Sequence, residues 1–115
     1  MKEEPAVLNP VRFMKMARGD TAGLIAIAGD YFIETRRLIP AWMAMLEAGD
    51  FGRLREDLHR CKGGAAIFGL DRLTAMIIDH ERPMAIETHG FDVAAFESEL
   101  RSAECAVTRM MEPVT

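Results

Sequence analysis

The sequence predicts an all-α protein, because apolar residues recur every three or four positions through most of its length. β-Branched residues are scattered, and no stretch alternates apolar and polar residues as a half-buried strand does. With 115 residues, the chain fits one domain of ordinary size. We expect an antiparallel four-helix bundle with a short additional N-terminal helix over residues 9–112, between tails at 1–8 and 113–115.

The first two helices are predicted from their caps. An asparagine followed by proline at 9–10 starts a short helix, since asparagine caps free amides and proline suits the first turn. Asp20 is expected to cap a long second helix that ends at Gly49. Pro40 lies inside it and allows one bent helix or two, of which we favour one bent helix. Its expected buried stripe is Leu24, Ala28, Tyr31, Thr35, Leu38, Trp42 and Leu46.

A third helix is expected from about Phe51 to Phe68, with Asp50 as its cap and a direction antiparallel to the second. At about 100° per residue, its two faces differ in composition. The face expected to be buried carries Leu54, Leu58, Cys61, Ala65 and Phe68. The opposite face, expected to be exposed, carries Arg55, Glu56, His59, Lys62, Gly63 and Ala66.

Two further helices complete the prediction. Asp71 starts a fourth helix, which ends or bends at Pro83. Residues 88–90, Thr-His-Gly, are expected to form a loop, and Asp92 to cap the last helix. The buried stripe of that helix is expected to be Phe96, Leu100, Ala103, Val107 and Met110.

Composition excludes several classes of function. The formal net charge is −4, which is unfavourable for binding nucleic acid. No apolar run approaches the roughly 18 residues of a membrane span, and the N-terminus lacks a signal-peptide core, so we expect a cytoplasmic protein without a membrane partner. Cys61 and Cys105 form neither a disulfide framework nor a zinc-site spacing. We expect both to be reduced core residues.

His59 is the centre of the predicted site. Lys62 and Gly63 follow it by three and four residues, so all three share one helix face. A neutral imidazole is a competent nucleophile, and one ring nitrogen can accept a phosphoryl group while the other keeps its proton. Lys62 would neutralise part of the added charge. Glycines at 63 and 64 cost about 1 kcal/mol each in mid-helix, which we attribute to close approach by a partner rather than to core packing.

Residues 59–70 read His-Arg-Cys-Lys-Gly-Gly-Ala-Ala-Ile-Phe-Gly-Leu. This segment resembles the phosphorylated helix of histidine phosphotransfer (HPt) domains. The positions that match the motif of that family are His59, Lys62, Gly63, Gly64, Ala65, Phe68, Gly69 and Leu73. The glycine pair and Phe68–Gly69 resemble the chemotaxis-kinase variety. The similarity in order and length of segments extends from Asn9 to Met111.

The resemblance implies roles for individual residues. His59 would be phosphorylated, and Glu81, by counting from the motif, would orient its imidazole from the following helix. Ile78 departs from the pattern, since the family places a second polar residue of that network there. The expected partner-binding residues are Arg55, Glu56, Gly63, Gly64 and Ala66.

The implied function is that of a histidine phosphocarrier in a two-component phosphorelay. His59 would pass a phosphoryl group between the aspartates of response-regulator receiver domains, downstream of a sensor or hybrid histidine kinase. The chain has no P-loop or ATP site, so it would not be a kinase, and we expect no cofactor or metal of its own, with Mg²⁺ supplied by the receiver.

Two alternatives remain open. One is a chemotaxis-type phosphoacceptor domain that a kinase labels directly. The other is a binding module that regulates a kinase or receiver by docking, without phosphorylation. A helical metalloprotein would need paired Glu-x-x-His motifs, which the sequence lacks.

Overall fold

The computed structural model describes residues 4–111, and over this range the chain forms six α-helices, a final 3₁₀ turn and no strand. The all-α prediction is therefore confirmed. The helices are α1 (Pro10–Ala17), α2 (Thr21–Ala48), α3 (Phe51–Ile67), α4 (Asp71–Glu81), α5 (Ala85–His89) and α6 (Val93–Thr108), followed by the turn Arg109–Met111.

Asn9, Asp20, Asp50 and Asp92 occupy N-cap positions, as predicted, and three of the four side chains make a capping hydrogen bond. The side-chain oxygens of Asn9, Asp20 and Asp92 each accept a hydrogen bond from the backbone N–H three residues later, at 3.2, 2.9 and 3.0 Å respectively. Each cap satisfies a backbone donor that the first helical turn leaves free. Asp50 occupies the N-cap position of α3, as predicted, but its carboxylate makes no capping hydrogen bond and instead lies 3.6 Å from the Arg53 guanidinium.

The second helix, α2, continues through Pro40 as one helix, as we favoured. Its predicted stripe is wrong at Tyr31 and Leu38, where the buried residues are instead Phe32 and Ile39. Tyr31 and Leu46 are only partly buried, and Leu38 is 36% exposed. The expected stripe advanced by alternating steps of three and four, and a helix of 3.6 residues per turn drifts about 20° per heptad from such a repeat. One and two heptads after Leu24, the buried position has moved one residue along the sequence, to Phe32 and Ile39. The buried residues of α2 are Leu24, Ala28, Phe32, Thr35, Ile39 and Trp42.

The region between α4 and α6 contains a helix that the sequence did not predict. α4 ends at Glu81, shortly before Pro83, as expected. Residues 88 and 89, predicted as loop, are instead the end of the five-residue helix α5. The buried side chain of Ile86, which is 2% exposed, anchors this turn of helix in the core. The loop prediction is wrong because the burial of Ile86 depends on packing against other helices, which the local sequence pattern does not indicate.

The helices share one hydrophobic core. α2 packs against α3 and α6, α4 packs against α3 and α6, and α1 packs against α2. Cys61 is buried, as predicted, but Cys105 is exposed, because it lies two residues from both Ala103 and Val107 and so faces away from the core. Within the part of the chain that the structure describes, no helix has the length and apolar character needed to cross a membrane.

The segment before α1 lies across the turn between α3 and α4. The backbone N–H of Arg72 donates to the carbonyl of Ala6 at 3.0 Å, and that of Asn9 donates to the carbonyl of Gly69 at 2.8 Å. Nearby, Glu99 is buried, and its Oε1 has no hydrogen-bond partner among residues 4–111. Burial raises the pKa of Glu99, whereas Arg72, whose Nε is 3.7 Å from that oxygen, opposes the rise.

Candidate functional site

The third helix positions the predicted site by burying its opposite face. Leu54, Leu58, Cys61 and Ala65 lie in the core, as predicted, and the helix therefore presents His59 to solvent. The imidazole side chain is 70% exposed. A nucleophile at this position is accessible to a macromolecular partner without any movement of the helix.

Glu81 connects the histidine to the lysine. Its Oε1 lies 3.2 Å from His59 Nδ1, and its Oε2 accepts a hydrogen bond from Lys62 Nζ at 2.7 Å. Glu81 is the last residue of α4, and its side chain is only 19% exposed. The structure thus brings together His59, Lys62 and Glu81.

The carboxylate determines which nitrogen of the ring is free. An ionised carboxylate only accepts hydrogen bonds, so the contact assigns the proton of a neutral His59 to Nδ1. Nε2 then carries the lone pair. A ring held through Nδ1, with Nε2 unprotonated, has the form required for nucleophilic attack by Nε2.

One member of the expected network is missing. Ile78 occupies the position where the HPt resemblance implies a second polar residue, and its side chain is 43% exposed. It lies on α4, three residues before Glu81. An aliphatic side chain cannot hydrogen-bond to the imidazole, so the carboxylate of Glu81 is the contact on α4 that orients the ring.

His59 borders a shallow groove with a volume of about 590 Å³. The residues that line it are Gly52, Arg55, Glu56, His59, Arg60 and Glu81. Glu56 is exposed, as expected of a partner-binding residue, but Arg55 is already engaged. Its guanidinium makes two hydrogen bonds to the Glu87 carboxylate on α5, at 2.6 and 3.0 Å.

The two glycines that the sequence analysis treated together have different surroundings. Apart from its chain neighbours and the backbone of its own helix, a Cβ built at Gly63 meets no atom of the described residues within 4 Å, so this face of α3 is open. A Cβ at Gly64 would overlap the ring of Tyr31 on α2. The Tyr31 hydroxyl donates to the carbonyl of Cys61 at 2.7 Å, which fixes the ring in that place. Core packing therefore explains Gly64, contrary to our expectation that it would not.

The C-terminal end of the site is tied to α1. Ala66 is half-buried, and its carbonyl accepts a hydrogen bond from Arg12 Nη2 at 2.7 Å. Arg12 Nη1 also contacts the Asp71 carboxylate at 2.8 Å. Ala66 thus lies where α1 meets the end of α3, with its carbonyl already occupied.

Sequence reasoning missed two acidic residues that hold this surface in place. Glu87 pairs with Arg55, and it was missed because α5 was not predicted. Asp57 accepts a hydrogen bond from Trp42 Nε1 at 3.0 Å and pairs with Arg60 at 2.6 Å. A carboxylate three residues before an arginine is a recognisable helical pair, but nothing local indicated that Trp42 would reach it.

Comparisons with models of protein families, with curated proteins and with solved structures find no match for this chain. The geometry around His59 and the residues of the 59–70 motif are therefore the features of this chain that indicate a function.

Proposed function

We propose that this protein is a histidine-containing phosphocarrier that accepts a phosphoryl group on His59 from one receiver-domain aspartate and donates it to another. The observation that carries the proposal is the contact between His59 Nδ1 and Glu81 on an otherwise exposed imidazole. The ring is oriented through one nitrogen, and the other is available to a partner.

The chemistry follows from this arrangement. Nε2 attacks the phosphorus of an aspartyl phosphate, a P–N bond forms, and the P–O bond breaks with its electron pair returning to the aspartate carboxylate. Glu81 stabilises the positive charge that develops on the ring, because Nδ1–H already faces its carboxylate. Lys62 provides a cation one turn away. Mg²⁺ and the acidic pocket belong to the partner, and the reverse reaction completes the transfer.

The packing of the helices supports an HPt-like arrangement. Each of the four longest helices, α2, α3, α4 and α6, packs against two of the others in a closed cycle. Such a cycle is what an antiparallel four-helix bundle requires, with α1 as the additional helix. In this proposal the protein acts in the cytoplasm, where the receiver domains and the sensor or hybrid kinase are found.

The experiment is phosphoryl transfer from a phosphorylated receiver domain to the full chain. The expected product carries acid-labile, base-stable phosphate, which is lost in His59→Gln. His89→Gln is the matched control, because His89 is also exposed and should leave the label unchanged. Label that persists in His59→Gln would overturn the assignment of the site.

A second incubation, with a histidine kinase and ATP, separates the alternatives. Labelling by the kinase but not by the receiver would favour the chemotaxis-type phosphoacceptor, to which Gly63–Gly64 and Phe68–Gly69 are similar. Binding to a receiver without labelling in either incubation would favour a docking module.

A further inference from the structure

The ion pair between Arg55 and Glu87 lies beside the proposed phosphorylation site and has no part in the chemistry described above. The two side chains are 29% and 21% exposed, and both terminal nitrogens of the guanidinium bind the carboxylate. The hydrogen bond to Glu87 raises the pKa of Arg55, and the same contact lowers the pKa of Glu87. Both groups are therefore charged at neutral pH.

Helix geometry places Arg55 next to the imidazole. It precedes His59 by four residues, so the two share a face of α3, and both line the same groove. Side chains on a helix lean toward its N-terminus, which carries the imidazole over the turn that holds Arg55. Because Glu81 holds Nδ1, the phosphoryl group attaches to Nε2, on the side of the ring away from that carboxylate, and Arg55 is a cation one helical turn away on the same face.

The charge balance of the site also favours a second cation. A phosphoryl group adds about two negative charges and three acceptor oxygens. Lys62 is already paired with Glu81, and Arg60 is already paired with Asp57. Arg55 is paired as well, but its guanidinium has five N–H donors in a planar fork suited to a phosphoryl group, and a dianion competes strongly for it.

We propose that Arg55 is a phosphoryl-binding residue and that Glu87 binds its guanidinium while His59 is unphosphorylated. The inference rests on the proposed phosphorylation of His59. On phosphorylation, the guanidinium turns from the Glu87 carboxylate to the phosphoryl oxygens. Glu87 is thus a competitor of the phosphoryl group for Arg55, and the two members of this ion pair have opposite effects on the phosphorylated protein.

The test uses the full chain and phosphoramidate as the phosphodonor, so no partner protein is needed. Nε2 displaces ammonia from phosphorus: the Nε2–P bond forms as the P–N bond of phosphoramidate breaks, its electron pair leaves with ammonia, and Nδ1 keeps its proton. The ³¹P resonance of phospho-His59 is identified by its absence in His59→Gln, and its titration midpoint is measured. A nearby cation lowers that midpoint, since it favours the dianion.

Arg55→Gln should raise the midpoint by roughly half a pH unit or more, and Glu87→Gln should lower it. The variant with both substitutions should have the same midpoint as Arg55→Gln, and the midpoint of Arg55→Lys should lie near that of the wild type. Arg53→Gln is the matched control, because it removes the same charge from an exposed position on α3 and should leave the midpoint unchanged. Circular dichroism of each variant verifies that the helices are retained.

A purely structural ion pair predicts a different result. Arg55→Gln and Glu87→Gln would then remove only a charge that does not contact the phosphoryl group, and neither would shift the midpoint more than Arg53→Gln does; that result overturns the role of Arg55. If phospho-His59 forms but receiver domains neither load nor discharge it, the carrier function fails while the result for Arg55 stands. Absence of any phospho-His59 resonance would overturn both.

Discussion

The inner and outer faces of α3 differ in the contacts that their residues make. On the inner face, Gly64 accepts the ring of Tyr31, and Asp57 binds the indole of Trp42, so side chains from α2 fill the available space. On the outer face, His59 is exposed and Gly63 leaves open surface. The inner face is held by packing and hydrogen bonding to side chains of α2, and the outer face by ion pairs and hydrogen bonds to Glu81 and Glu87. Substitutions on the two faces should therefore separate stability from phosphoryl transfer.

The adjacent glycines show how closely the two faces approach each other. They are consecutive in sequence, yet one borders an aromatic ring of the core and the other borders open space. A helix rotates by about 100° per residue, which is enough to move from an interior contact to solvent in one step. A glycine pair on a helix can thus serve two unrelated purposes.

The largest effect on stability is expected for Trp42→Phe. The indole is fully buried, packs edge-on against Phe91 and Phe96, and donates to Asp57. Phenylalanine keeps part of the aromatic packing but removes the donor and leaves a void, so we expect a loss of about 2 kcal/mol in the free energy of unfolding. Urea denaturation measures it. Asp57→Asn keeps an acceptor oxygen and should lower the free energy of unfolding by less than Trp42→Phe does. An equal loss in the two variants would contradict a role for the indole beyond this hydrogen bond.

A smaller effect, of opposite sign at the two positions, is expected for alanine at the glycines. Gly64→Ala should lower the free energy of unfolding by about 1 kcal/mol, because overlap with Tyr31 outweighs the gain in helix propensity. An alanine methyl group at position 63 meets no neighbouring side chain, so Gly63→Ala should raise the free energy of unfolding by about 0.5–1 kcal/mol. Chemical denaturation of both variants measures the difference, and stabilisation by Gly64→Ala would show that the Tyr31 ring can move aside without penalty.

The smallest effect on stability, with the largest effect on transfer, is expected for Glu81→Ala. Lys62 and Glu81 are 26% and 19% exposed, and the Lys62 ammonium can regain contact with water when the carboxylate is removed, so loss of this ion pair should change the free energy of unfolding by less than about 1 kcal/mol. Loss of a charge-assisted hydrogen bond to the ring, worth about 1.5–3 kcal/mol, should slow labelling of His59 by a phosphorylated receiver about tenfold or more. Glu81→Gln retains an acceptor and should recover part of the rate. Unchanged labelling in both variants would show that the partner alone orients the ring.

Much of the fold and part of the candidate site could be predicted from local sequence. The caps at Asn9, Asp20 and Asp92 are confirmed, since each depends on a side chain and a backbone N–H three residues away. The inner face of α3 is also as predicted. Predictions were wrong where the position of a residue depended on more than the adjacent helical turn. Ile39 replaces Leu38 in the core because small angular differences accumulate along a helix of 28 residues.

Among the site residues, too, some positions follow from local sequence and others depend on how the helices pack. The spacing of His59, Lys62 and Gly63 on one helix face follows from the helical repeat alone. The position of Glu81 was predicted only by counting from a motif that resembles another family. Its simultaneous contact with His59 and Lys62 depends on how α4 packs against α3, which no local pattern specifies.

The sequence by itself determined the all-α class, most helix boundaries and the presence of a histidine, a lysine and an open glycine on one exposed face. These features depend on residues within about one helical turn of each other. Only the tertiary structure decided that Tyr31 occupies the space at Gly64, that Glu87 binds Arg55 and that Glu99 is buried near Arg72. Each of these contacts joins residues far apart in sequence, so it exists only after the hydrophobic faces of separate helices have packed together.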